Sequence, residues 1–178
     1  MIFENILEAV GHTPMVRLNK MAEPDSADIL VKFEGVNIGG SIKTRTALNM
    51  ILAAEKQGLI NQDTVIVEPT SGNQGIGLAL VGAVRGYKTI IVMPDSVSEE
   101  RRKIVRHYGA EVILIHDDGD IGKCMDECLQ TALPLHPSWL QSFSPSCPSI
   151  SRPTTKLPPV EKEVMPLFSL TYHRLLLP

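Results

Sequence analysis

Three runs in this chain, TVIVE at 64–68, TIIVM at 89–93 and EVILI at 111–115, are apolar at consecutive positions rather than at alternate ones. A strand with one wet face alternates. A strand with no wet face has to be covered on both sides, and that happens in parallel sheets whose crossover helices lie over them. Each run is followed by a helical stretch. One starts from about Asn73, one from about Ser98, and one covers about 121–132. Glu99 and Glu100 stand in the first turn of the second, where the helix dipole favours acids. Strand and helix therefore alternate, and the class is α/β: an open, mostly parallel, twisted sheet with helices on both faces.

Upstream, a short helix over about 3–10 precedes two extended runs, 14–18 and 29–34. A longer helical pattern follows over 41–60. Its Ala47, Met50, Ile51 and Ala54 recur at helical spacing, and Gly58 is a natural stop. There are no internal repeats.

The chain divides by composition. All thirteen glycines precede residue 134, and nine of the thirteen prolines follow residue 133. Prolines at that density break helices and cannot donate to a ladder. Residues 1–133 thus form one α/β domain, and 134–178 a proline-rich tail expected to be largely disordered. The tail is unusual in carrying apolar Trp139, Phe143, Phe168 and Leu175. Such a mix is what an out-of-frame or unrelated C-terminus would look like.

Charge and cysteines narrow the function classes. The net charge is -3, which lacks the basic footprint of a nucleic-acid binder. No apolar run has the length of a membrane span. The start has Glu4 and Glu8 and no basic region, so it does not read as a signal peptide. Cys124, Cys128 and Cys147 are odd in number, which argues for reduced thiols in a cytosolic protein. Cys124 and Cys128 are four apart on a helical stretch. No matching His or Cys pair accompanies them, so they read as core residues and no metal site is expected.

Two stretches carry chemistry. In the first, Gly39, Gly40 and Ser41 precede the long helix and Lys43 falls in its first turn. The partial positive charge of a helix start acts against an ammonium there, which suits a lysine that works as an amine and forms a Schiff base. Taken alone, a lysine so placed is more often a solvated surface residue. In the second, Thr70, Ser71, Gly72, Asn73 and Gln74 join the strand at 64–68 to its helix. Free amides at a helix start, with the hydroxyls of Thr70 and Ser71, make a cradle that fits a carboxylate or a phosphate. The spacing is neither G-x-G-x-x-G nor G-x-x-x-x-G-K, and a plain tight turn with an N-cap accounts for it equally well. Lys43 and Asn73 are expected on neighbouring βα units of one sheet, at the carboxyl edge where open α/β sheets bind ligands.

Several segments resemble cysteine synthases (O-acetylserine sulfhydrylases) in the order that family has them. Residues 11–18, GHTPMVRL, resemble G-N-T-P-L-V-R-L, and 37–45 resemble N-P-x-x-S-V-K-D-R. Residues 69–79 resemble P-T-S-G-N-T-G-I-G-L-A, 93–102 resemble M-P-x-S-M-S-x-E-R-R, and 108–111 match (F/Y)-G-A-E. The resemblance runs over about 3–133. It implies the N-terminal domain of the tryptophan synthase β-like fold, with pyridoxal 5'-phosphate as cofactor. It implies that Lys43 holds the cofactor and later moves the substrate α-proton, and that Asn73 bonds the ring's 3′-oxygen. Thr70, Ser71, Gly72 and Asn73, with Gln74, would grip the substrate carboxylate. The implied reaction is β-replacement on an activated serine, in cysteine biosynthesis, by a cytoplasmic enzyme whose full-length relatives are homodimers.

Three positions depart from the pattern: Ile38 for proline, Thr44 for aspartate and Gln74 for threonine. Relatives on this scaffold also make other β-substituted alanines, or cleave serine and threonine. The second domain of the family supplies a glycine-rich phosphate loop and a serine for the pyridine nitrogen. No glycine follows Gly122, so neither can be placed in this sequence, and the strands at 14–34 are expected to lack partners. Three readings stay open: a cysteine synthase-like enzyme, impaired as it stands; a serine or threonine dehydratase-like lyase; and a non-catalytic fragment.

Overall fold

The computed structural model describes residues 2–20, 23, 25, 27–116, 122, 123 and 126, and the backbone of 164–166. Strands β3 (Val65–Pro69), β4 (Lys88–Pro94) and β5 (Glu111–Ile115) form a parallel sheet, joined beside β3 by β6 (Val164–Pro166). The order is β5-β4-β3-β6. Period 2 divides the side chains of the strands between two faces. Ile66, Ile91 and Met93 belong to the main core, while Val65, Val67, Ile90 and Val92 form a second buried cluster. Both sets are buried, which is why β3 and β4 lack a polar face; β5, at the sheet edge, is only partly covered and leaves Leu114 exposed. The α/β class expected from the sequence is the one observed.

Helices α1 (Lys43–Lys56), α2 (Asn73–Arg85) and α3 (Glu99–His107) supply the main core through Ala47, Ile51 and Ala54, through Ile76, Leu78 and Val81, and through Val105. Their ends follow from local chemistry. Gly58 is left-handed at φ 67°, the Leu59 amide donates to the Ala54 carbonyl at 3.0 Å and the Gly58 amide to the Glu55 carbonyl at 3.0 Å. That pair of bonds closes α1. Three glycines let α2 approach its neighbours. A Cβ on Gly75 would stand 2.7 Å from Thr70 Cγ2, one on Gly77 3.0 Å from Ala47 Cβ, and one on Gly82 2.2 Å from Thr89 Oγ1.

The N-terminal element is shorter than the sequence suggests, a single 3-10 turn over Ile6–Ala9. Asn5 Oδ1 accepts from the Leu7 amide at 2.9 Å, Glu8 Oε2 accepts from the Glu4 amide at 3.2 Å, and Gly11 is left-handed at φ 91°. Capped from both sides, the turn has no room to extend.

The topology at 14–34 also differs from the expectation. Strand β2 (Leu30–Lys32) does not join the main sheet; it pairs antiparallel with β1 (Met15–Arg17) in a separate two-stranded sheet. Lys43 is therefore not on a βα unit of the sheet that carries Asn73. On this hairpin Met15, Val16, Leu30 and Val31 are exposed. Of the helix expected over 121–132, only Gly122, Lys123 and Asp126 are described, each in helical conformation, and the three cysteines lie outside the described residues.

Candidate active site

Helix α1 starts where two left-handed glycines, Gly39 at φ 82° and Gly40 at φ 77°, turn the chain. Only glycine adopts this conformation without cost. Ser41 Oγ then accepts from the Lys43 amide at 3.2 Å, which satisfies one of the helix's free donors. The Lys43 side chain is exposed. The next residue, Thr44, is fully buried, and its hydroxyl meets no partner.

Asn37 anchors the loop from below. It is 5% exposed. Its Oδ1 accepts from the Gly11 and Ile38 amides, both at 3.0 Å, and its Nδ2 donates to Glu34 Oε2 at 3.1 Å and to the Ser41 carbonyl at 3.3 Å. Glu34 in turn faces Arg45, whose Nε and Nη2 donate to the two carboxylate oxygens at 2.9 and 2.8 Å. The Arg45 bonds hold the Glu34 carboxyl down at about 2, and the same bonds raise the guanidinium above its ordinary value.

The cradle forms at the carboxyl end of β3. The Thr70 amide still donates to the Val92 carbonyl at 2.9 Å, as if β3 continued. Thr70 Oγ1 accepts from the Gly72 amide at 3.3 Å. The Gly75 and Ile76 amides donate to the Gly72 carbonyl at 3.0 and 3.4 Å. The amides of Ser71, Asn73 and Gln74 have no acceptor among the described residues, so they are available to an anion at the helix start. Ser71 and Asn73 are exposed. The Gln74 side chain is turned to α1, donating to Met50 Sδ at 3.5 Å.

Sequence reasoning placed Lys43 and the cradle at one edge through a shared sheet; the structure brings them together through helix packing. A Cβ on Gly77 would lie 3.1 Å from the Lys43 carbonyl oxygen and 3.1 Å from Thr44 Cα. Gly77 is one turn beyond Asn73, about 6 Å along α2. The start of α1 thus rests on α2 just behind the cradle. Thr13, Glu34 and Arg45 escaped the sequence reading as parts of the site. The signal for Thr13 and Arg45 was their place within the GHTPMVRL and N-x-x-x-S-x-K-x-R segments; Glu34 lies outside both and carried no such signal.

A cavity of about 380 Å³ lies elsewhere, at the amino edge of the sheet, lined by Gly82, Tyr87, Lys88 and Tyr108 among others. Among the described residues no group of three His, Cys, Asp or Glu is placed to hold a metal ion, and no helix is long and apolar enough to cross a membrane.

The arrangement places the exposed Lys43 side chain and a set of anion-binding donors on adjoining helix starts. Comparison with known proteins gives this a context. Residues 6–143 match the model of the family described as pyridoxal-phosphate dependent enzyme. A cysteine synthase of Flavobacterium sp. is 49% identical over 140 residues, which cover 79% of this chain and 45% of that protein. The O-ureido-L-serine synthase of Streptomyces lavendulae is 43% identical over 157 residues, covering 86% of this chain and 48% of that one. Among solved structures, the O-acetylserine dependent cystathionine beta-synthase from Helicobacter pylori superposes with a TM-score of 0.68 at 36% identity, over 74% of this chain and 44% of that chain. The chain spans less than half the length of each of these relatives.

Proposed function

The chain belongs to the family of pyridoxal-phosphate dependent enzymes, and from that premise we propose that it carries the lysine and carboxylate-binding part of a β-replacement enzyme acting on an activated serine, as in cysteine synthases. The observation that carries this reading is the juxtaposition through Gly77. An exposed Lys43, engaged by no described group, stands behind a cradle whose Ser71, Asn73 and Gln74 amides are free.

The residues fit the cofactor of the family. Lys43 offers an accessible amine for its covalent attachment. Asn73 offers an exposed amide to the ring's oxygen substituent. When bound, pyridoxal phosphate supplies an electron sink for the bonds at the substrate α-carbon. The chain's own residues do the rest. The amides at the start of α2 and the hydroxyls of Thr70 and Ser71 hold the substrate carboxylate and so fix the rotation of its α-carbon. Lys43 Nζ then takes the α-proton and holds it while the β-substituent leaves. Gln74 places its amide N–H, rather than its side chain, at the cradle.

A small amino-acid substrate, a cytosolic location and a homodimeric full-length protein go with this reading. The stretches 70–77 and 93–98 support the synthase over the dehydratase side. The test is borohydride reduction of the protein mixed with pyridoxal phosphate, followed by peptide mass mapping. The adduct is expected on Lys43 and is expected to vanish in Lys43→Ala. An adduct of equal yield on another lysine in that variant would overturn the assignment.

A further inference from the structure

Lys43 is a residue of a helix whose approach is a glycine turn, and a glycine turn by itself does not hold a direction. Gly39 and Gly40 have more backbone freedom to lose than any other residue type would. Something else has to fix the rotation of α1 about its axis, because a lysine that swings by one helical position faces away from the cradle.

Few contacts can do this. The Gly77 contact fixes how near α1 comes to α2, but a backbone contact against a missing side chain does little to fix rotation. Ser41 caps only one amide. The buried Ala47, Ile51 and Ala54 orient the body of α1, and Glu55 ties its last turn to Arg85 and Tyr87; at the first turn the remaining side-chain attachment is Arg45. Residues two apart on a helix point about 200° away from each other, so Arg45 leaves α1 on the side opposite Lys43. Its guanidinium meets Glu34 with two parallel bonds at 2.9 and 2.8 Å. From the same Nη2 it donates to the Gly11 carbonyl at 2.8 Å and to Thr13 Oγ1 at 3.3 Å. Thr13 Oγ1 donates to Glu34 Oε1 at 2.8 Å.

A fork held in two directions resists rotation in a way that a single bond does not. Gly11 fits the same account. It is left-handed at φ 91°, and a Cβ there would stand 2.5 Å from Arg45 Nη1, so any larger residue would displace the fork. Asn37 completes the frame by tying Gly11, Glu34 and Ser41 together. Segment 11–13, the turn at Glu34 and the start of α1 are thereby one rigid unit, although no ladder of the main sheet runs through it.

We propose that Arg45 and Glu34 are a positioning pair: their forked ion pair, braced by Gly11, Thr13 and Asn37, sets the rotation of the first turn of α1 and so aims Lys43 at the cradle. The inference rests on the reading of Lys43 as the cofactor lysine. The pair stays charged at any physiological pH, since the Glu34 carboxyl is held at about 2 by Arg45.

The test uses the full chain and two variants, Glu34→Gln and Arg45→Lys. The second keeps the charge and loses the fork. Two quantities are read: the rate at which pyridoxal phosphate with cyanoborohydride labels Lys43 relative to Lys56, and amide hydrogen exchange along the chain. In both variants the Lys43-to-Lys56 labelling ratio is expected to fall at least fivefold and exchange over 38–45 to rise at least tenfold, with β3 and β4 unchanged. An unchanged labelling ratio, or exchange rising equally throughout the sheet, overturns the proposal, since either means the pair contributes only to general stability. If unsubstituted protein labels Lys43 no faster than Lys56, the reading of Lys43 fails. The exchange over 38–45 then still decides whether the pair holds this turn.

Discussion

Replacing Gly77 by alanine sets two effects of opposite sign against each other. In an ordinary helix interior the change stabilises by about 0.5–1 kcal/mol, because alanine has less backbone entropy to lose. Here the new methyl would meet Ala47 Cβ at 3.0 Å, the Lys43 carbonyl oxygen at 3.1 Å and Thr44 Cα at 3.1 Å. Ordinary carbon contacts stand at about 3.5–4.0 Å, so all three are too short, and two of the three are backbone atoms that no rotamer change can move. The helices have to separate, and overpacking of this kind costs about 1–3 kcal/mol. At the middle of both ranges the net expectation is a loss of about 1 kcal/mol. With a slope of about 1–3 kcal/mol/M, the urea midpoint followed by circular dichroism falls by about 0.3–1 M. Ala83→Gly, at an exposed position of α2, calibrates the propensity term on the same helix. The same separation moves Lys43 off the cradle, so borohydride-trapped cofactor on Lys43 falls with the midpoint. A midpoint that rises on Gly77→Ala would refute the close approach of α1 and α2, and with it the juxtaposition on which the proposed function stands.

Ser71→Ala is expected to weaken amino-acid binding by about 1.5–3 kcal/mol, roughly 10- to 150-fold, with cofactor labelling of Lys43 unchanged; an equal loss in both, measured by titration, would mark Ser71 as structural. Glu34 ionises near 4.5 when free and at about 2 in the fold, so its contribution to stability is complete above pH 4.5 and is lost as pH falls toward 2. Urea midpoints against pH should show that decline, and Glu34→Gln should flatten it. Tyr87, whose hydroxyl donates to Glu55 Oε1 at 2.9 Å, is pushed up to about 12 by burial and by that bond. Its contribution is complete below pH 10 and is lost as pH rises through 12, and Tyr87→Phe should remove that alkaline limb. Thr44→Val replaces a fully buried hydroxyl without a partner by a methyl of similar shape, and should raise the urea midpoint, with a gain of about 1 kcal/mol.

The sequence by itself determined the parts whose physics is local. Consecutive apolar residues at 65–67, 90–93 and 112–115 have no wet face to offer, so the sheet had to be parallel and covered on both sides. Glycines at 58, 86 and 109, all left-handed in the fold, ended their helices from one residue's conformational freedom. The turn at Thr70–Ser71–Gly72 and the helix start at Lys43 were legible for the same reason: cap, turn and free amides depend on neighbours within four residues. What only the tertiary structure decided is how these two helix starts meet. The pattern at 29–34 reads as a strand but does not say which strand it pairs with, and β2 went to β1 rather than to the main sheet. The start of α1, at Lys43, meets α2 through a contact at Gly77, 34 positions away in sequence, where a missing side chain leaves no periodic mark. Arg45, Glu34, Thr13 and Gly11 likewise look like scattered polar and small residues until the chain closes on itself, since a forked ion pair is a relation between distant atoms and has no spacing to read.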